Sequence, residues 1–250
     1  MERVKQNILK NKFFKASLWT FLVIILIFYF KAFFTTGVYY DDTFLKKEVV
    51  NNENHYVGKS KYGFIDITVK KQNNIQDSAD VIYRLPNNIN KKYIVSFKDA
   101  GDMEQEFKNI KIKDENGNII FEGRYKKDDD FLIDKNGSYF IEEGMIKVEM
   151  SAESPQSPYN DDYKVILKNV ADFASSANET NRGRCKYFIP AIVLFILTFI
   201  DIKFPLFFFT LNHLFDVKDP EPSDYYITMQ RIFWYVYPII GVILMIMAIS

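Results

Sequence analysis

The stretch IKIKDENGNIIF, Ile110 to Phe121, joins two patterns in twelve residues. Ile110 and Ile112 alternate with Lys111 and Lys113, and the apolar run Ile119-Ile120-Phe121 resumes after Asn116-Gly117-Asn118. The Asn116-Gly117 pair accepts the positive φ angles that tight hairpin turns require. This predicts two antiparallel strands, each with one face toward a core and one toward water. Outward from the hairpin the alternation recurs at Tyr62 to Val69 (YGFIDITV), Asp80 to Leu85 and Tyr93 to Phe97 on one side. On the other it recurs at Ser138 to Ile141, Met145 to Met150 and Tyr163 to Asn169, and a second Asn136-Gly137 follows Phe131-Leu132-Ile133. Val, Ile, Phe and Tyr dominate these runs, with Gly, Asn, Asp and Pro between them. Eight short strands predict an all-β domain over residues 38–170, an antiparallel β-sandwich or a related barrel. Residues 171–186 read as a small, polar tether, and no internal repeat has a fixed period.

Both sides of this domain change character. Ala16 to Phe34 (ASLWTFLVIILIFYFKAFF) is 19 residues with Lys31 as its one charge. As a helix it is about 28 Å long, close to the hydrocarbon thickness of a bilayer. Lys31 sits near its end, where a long side chain reaches the interface. The stretch lacks an A-x-A-like cleavage site, so it reads as an uncleaved anchor behind a basic tail, residues 1–15. A second apolar stretch, residues 187–211, is interrupted by Asp201-Ile202-Lys203 and Pro205, which point to a break near 201–205. The third, Ile232 to Ile249, is 18 residues without a charge, and Trp234, Tyr235 and Tyr237 gather at its start as an interfacial belt would. The expected fold is therefore three membrane spans with the β-domain inserted between spans one and two. With the N-terminus inside, the span flanks hold eight basic residues inside against six outside, five of the eight in the first tail. That places residues 1–15 and the 212–231 loop in the cytoplasm and the β-domain outside a bacterial cell membrane.

Composition narrows function by exclusion. The chain has 250 residues with 32 Lys+Arg against 32 Asp+Glu, and this lack of a cationic surplus argues against nucleic acid as a partner. The mean hydropathy of −0.13 is the average of two unlike materials, apolar spans and a polar domain. No G-x-S-x-G, H-E-x-x-H, P-loop or G-x-G-x-x-G occurs, and His55 and His213 lie on opposite sides of the second span. Asp114, Asn116 and Asn118 alternate as oxygen donors. From Asp114, however, Gly117 is fourth and Tyr125 twelfth, whereas an EF-hand loop needs Gly sixth and Glu twelfth. The expectation is a protein that is not an enzyme and holds no cofactor or metal. Cys185 stands alone, a free thiol at a membrane edge.

The residues singled out lie in and between the last two spans. Asp201 and Lys203 are charges at span depth, which is costly unless they pair or reach the interface. A functional reading pairs Asp201 with Arg231; the alternative leaves both charges at the interface where the helix breaks. Hypothetical transport or catalysis would draw on Asp201, Arg231, His213 and Asp216, the least favoured reading. Ser223 is a sensible helix N-cap after Pro220 and Pro222, with Asp224 suited to the helix dipole. The series Glu221-Pro222-Ser223-Asp224, then Tyr226, then Arg231-Ile232 opening an apolar span, resembles a family of small membrane domains of unknown function from low-GC Gram-positive bacteria. Val38 to Leu45 (VYYDDTFL) is also similar to longer members of that group. The resemblance implies a membrane setting and no activity. The expectation is thus a multi-pass protein in the lipid bilayer whose outer β-domain binds or senses an envelope protein or a cell-wall ligand. An immunity or stress-protection role is the alternative.

Overall fold

Asp114 shapes the central hairpin. Its Oδ1 accepts from the backbone N–H of Asn116 at 3.0 Å and of Asn118 at 2.8 Å, while Asn118 Nδ2 donates to Oδ2 at 3.0 Å. Gly117 takes the left-handed φ of 85° that closes the turn. Asp134 repeats the device, accepting from Asn136 N at 2.8 Å and Ser138 N at 2.9 Å, with Gly137 at φ 86°. The carboxylate oxygens that a calcium site at Asp114 would use thus bind its own turn.

The computed structural model describes residues 2–72, 77–99, 106–142, 157–160, 162–213 and 221–250. The chain divides into two units, residues 36–180 and residues 1–35 with 181–250. The first is built on a sheet of β1 (Thr36–Tyr40), β2 (Thr43–Val50), β3 (Glu53–Ser60), β4 (Gly63–Lys71), β5 (Ser78–Leu85), β6 (Ile89–Asp99), β7 (Phe107–Lys113), β8 (Ile119–Lys126), β9 (Leu132–Asp134) and β10 (Tyr139–Phe140). It also contains α2 (Leu167–Ser175). With β11 (Thr180–Asn181) the sheet has eleven strands, and β1 to β10 lie side by side in chain order, antiparallel throughout.

The expected sandwich of two sheets is therefore replaced by one meandering sheet. The core is filled by α2 instead of by a second sheet. Phe173 is fully buried, with its ring 5.1 Å from Tyr56, 6.0 Å from Tyr83 and 6.1 Å from Tyr40. At the neighbouring helix position the hydroxyl of Tyr125, on β8, donates to Asp172 at 2.9 Å. On a flat sheet β1 and β8 would stand about 34 Å apart, seven strand spacings, whereas a helix with its side chains is about 10–12 Å across. The sheet must curl for both strands to touch one helix.

The segment Tyr163 to Asn169, expected as the last strand, is instead the approach to α2 and its first turn. Leu167, Val170, Ala171 and Ala174 follow the i, i+3, i+4, i+7 spacing of a helical stripe, and all four are buried. Glu142 supplies the cap, its Oε2 accepting from Leu167 N at 2.7 Å. Four strands, β1 to β3 and β11, were not foreseen, and β11 lies with the end of α2 in the segment expected as a polar tether. The expected strand Met145 to Met150 and much of the loop at 151–162 lie outside the described residues.

The second unit holds α1 (Glu2–Phe33), α3 (Cys185–Lys203), α4 (Phe207–Asn212) and α5 (Asp224–Ile249). Three helices are long and apolar enough to cross a membrane: α1 over Phe14–Phe33, α3 and α5. In sequence the β-domain follows the first and precedes the other two. The amides of Arg182, Gly183 and Arg184 donate to the carbonyls of Thr35 at 2.9 Å, Phe33 at 2.8 Å and Ala248 at 2.8 Å. These bonds gather the end of α1, the start of α3 and the end of α5, so α3 runs opposite to the other two. Ala191, Gly241 and Ala248 are buried where backbones approach, and a Cβ on Gly241 would meet the Phe195 ring at 2.9 Å. α3 stops at Lys203. Pro205 and Leu206, the latter left-handed at φ 72°, separate it from α4.

Candidate functional site

Asp201 lies in the last turn of α3, opposite the first half of α5. Gln230 and Trp234, one turn apart on α5, both point at it. Gln230 Nε2 donates to Oδ1 at 2.7 Å and Trp234 Nε1 donates to Oδ2 at 2.7 Å. Each carboxylate oxygen is thus held by one neutral donor. Beside this group is a cavity of about 350 Å³ whose wall includes Asp201, Gln230, Phe208, Tyr226, Phe233 and Tyr237. Phe233 and Tyr237 stack at 4.8 Å, and Tyr226 packs on Phe209 at 5.0 Å.

The other residues read from the sequence separate into those near this group and those away from it. Arg231 is exposed and is not the partner of Asp201, because it is one residue, about 100° of helix rotation, from Gln230. Lys203 stands 5.7 Å from the rings of Phe199 and of Phe204, turned from Asp201. Ser223 caps α5, its Oγ accepting from Tyr226 N at 3.2 Å, and Asp224 occupies the first turn. Glu221 is exposed and Pro222 half-buried, both ahead of the cap. The His213 ring lies 4.4 Å from that of Phe209, tilted by 35°, and bonds the Phe209 carbonyl at 2.9 Å, while Asp216 lies outside the described residues. Gln230 and Trp234 were missed by sequence reasoning. Their signal was available: Tyr226, Gln230, Phe233, Trp234 and Tyr237 form one helical stripe with a polar member in it.

The comparisons with known proteins bear on this unit. A family of unknown function, DUF6199, matches residues 190–248. The match takes in most of α3, the break, α4 and most of α5, and so includes the Asp201 group. No curated protein and no solved structure matches the chain.

The β-domain has a second concentration of polar chemistry. Lys168 on α2 is buried and bonds both oxygens of Asp172, at 2.6 and 2.8 Å, with its ammonium 5.2 Å from the Tyr125 ring. Burial holds the Asp172 carboxyl above its ordinary range, partly opposed by Lys168. Tyr125, pushed up by burial and by the Asp172 charge, also bonds Ser175 Oγ at 2.8 Å. A cavity of about 430 Å³ opens at the C-terminal turn of α2, with Lys71, Lys108, Lys127, Tyr125, Ser175 and Asp77 among its walls. Lys108 and Asp77 are 3.7 Å apart. Elsewhere in this unit Glu179 accepts from Lys47 at 2.7 Å and from Tyr56 at 2.6 Å. Burial alone would raise the Glu179 carboxyl, but these bonds leave it below its usual value.

Proposed function

We propose that this is a membrane-anchored binding protein whose β-domain faces the outside of the cell and takes a small anionic ligand, acting by binding and not by catalysis. The observation that carries the reading is the cavity at the end of α2, where three lysines face one aspartate. Two positive charges in excess outweigh the partial negative charge of the α2 carbonyl end. The outward orientation rests on the basic tail before α1, since basic residues flanking a first span stay inside. Envelope components carrying phosphate or carboxylate groups are the fitting partners, within a bilayer setting and without nucleic acid.

Titration of the full chain in detergent or nanodiscs with glycerol 3-phosphate and with citrate tests the reading. Saturable binding is expected, weakened about tenfold or more in a Lys71→Ala, Lys127→Ala double variant that retains its circular dichroism. Absence of binding to both anions, or equal binding by the double variant, would sink the proposal.

A further inference from the structure

Among the described residues the Asp201 carboxyl has neutral partners only. Gln230 and Trp234 fix both of its oxygens, but both donors are neutral. Among the described residues no lysine or arginine pairs with it: Lys203 lies against Phe199 and Phe204, and Arg231 is exposed. Asp201 also sits in the last turn of α3, where unsatisfied carbonyls make the helix end negative and a carboxylate adds to that field. A lone carboxylate at the end of an apolar helix is costly unless a cation comes to it.

The cavity beside it shows what kind of cation fits. Its wall of Phe208, Tyr226, Phe233 and Tyr237 is aromatic, and aromatic faces attract large, weakly hydrated cations. A bare divalent ion wants six or more oxygen ligands, more than the Asp201 carboxylate, the Gln230 amide oxygen and two phenols supply. The volume of about 350 Å³ suits a group the size of an amine headgroup. Tyr225 and Tyr235 on α5 are exposed rings of the kind enriched among headgroups.

We propose that the cavity between α3, α4 and α5 binds an organic ammonium group, with Asp201 as counter-ion and the four rings as its cage. The group comes either from a phospholipid headgroup or from a soluble amine. The reading is independent of the anion cavity in the β-domain, and either can fail alone.

Trp234 offers the readout, because its indole N–H is bonded to Asp201 and Trp19 is the only other tryptophan. A full-length Trp19→Phe chain in nanodiscs is titrated with tetramethylammonium and with its uncharged relative 3,3-dimethylbutan-1-ol. A saturable change in Trp234 emission is expected for the cation alone. It should weaken about tenfold in Asp201→Asn and severalfold in Phe208→Leu, a variant that leaves the Asp201 bonds intact. If phosphatidylethanolamine nanodiscs suppress the titration and phosphatidylglycerol nanodiscs allow it, the lipid headgroup is the source. Equal titration in both assigns a soluble amine. No saturable change in either bilayer, the same response to the neutral alcohol, or full response in the folded Phe208→Leu variant would overturn the proposal.

Discussion

Lys168 and Asp172 form an ion pair inside the β-domain, with side-chain exposures of 7% and 16%. A buried pair of this kind adds little net stability over an apolar pair of the same shape, but removing one member strands the other. Asp172→Ala leaves the Lys168 ammonium uncompensated and removes the acceptor of Tyr125. Urea unfolding should show a loss of about 3 kcal/mol or more, and Lys168→Met with Asp172→Leu should recover most of it. Equal losses in the single and double variants would contradict this account. The carboxylates also set opposing pH dependences. Glu179 is held below its ordinary value, so its contribution is complete above that value and is lost as pH falls through the lower folded one. Asp172 and Glu142 are raised by burial, so theirs is present below their ordinary values and is lost as pH rises through the raised ones. Glu179→Gln should therefore shrink the fall in Tm between about pH 5 and pH 3 relative to the unsubstituted protein. An unchanged fall would show that the bonds from Lys47 and Tyr56 do not select the ionised form.

At the scale of elements, α2 is the piece on which the β-domain depends. Phe173 alone meets rings from β1, β3 and β5, so Phe173→Ala should cost about 3–5 kcal/mol and loosen the inner sheet face, read by unfolding and by hydrogen exchange of β3 and β5. A loss of protection confined to strands far from the helix would contradict its place as the core. The same element shows where sequence reading reaches and where it stops. The hairpin at Asn116-Gly117 was legible because only a few residues take its left-handed turn, and Ile110 and Ile112 turned inward as their alternation required. Strands β1 to β3 were illegible to a search for glycine, since their turns use Asp41-Asp42 at φ 44° and 60° and Asn51-Asn52 at φ 52° and 65°. Asp and Asn enter that region at small cost, so these pairs carried the same message in different letters. For α2, the window Tyr163 to Asn169 was too short to separate period two from a helical stripe, and four more residues would have decided it. In the helical unit, Asp201 stood out as a charge among apolar residues. Its partners did not, because Gln230 and Trp234 look ordinary until two helices bring them to one point.

For the whole molecule, orientation is the property on which the proposed function turns. Cys185 is an exposed free thiol at the start of α3, the end of the helical unit where Thr35 and Ala248 also meet. A membrane-impermeant maleimide should label it in intact cells, and a Cys185→Ser chain should stay unlabelled. Labelling only after permeabilisation would reverse the proposed orientation. Order along the chain has a further consequence, in time instead of space. Each strand from β2 to β10 pairs with the strand made just before it, so the sheet can zip as the chain emerges, one hairpin at a time. α2 comes after all ten of them. Until residues 167–175 arrive, the inner faces of Tyr56, Tyr83, Ile67 and Ile112 have no helix to cover them. A stall in synthesis or export within that interval leaves a nearly finished sheet with an open apolar trough, the stage at which this domain most needs a chaperone.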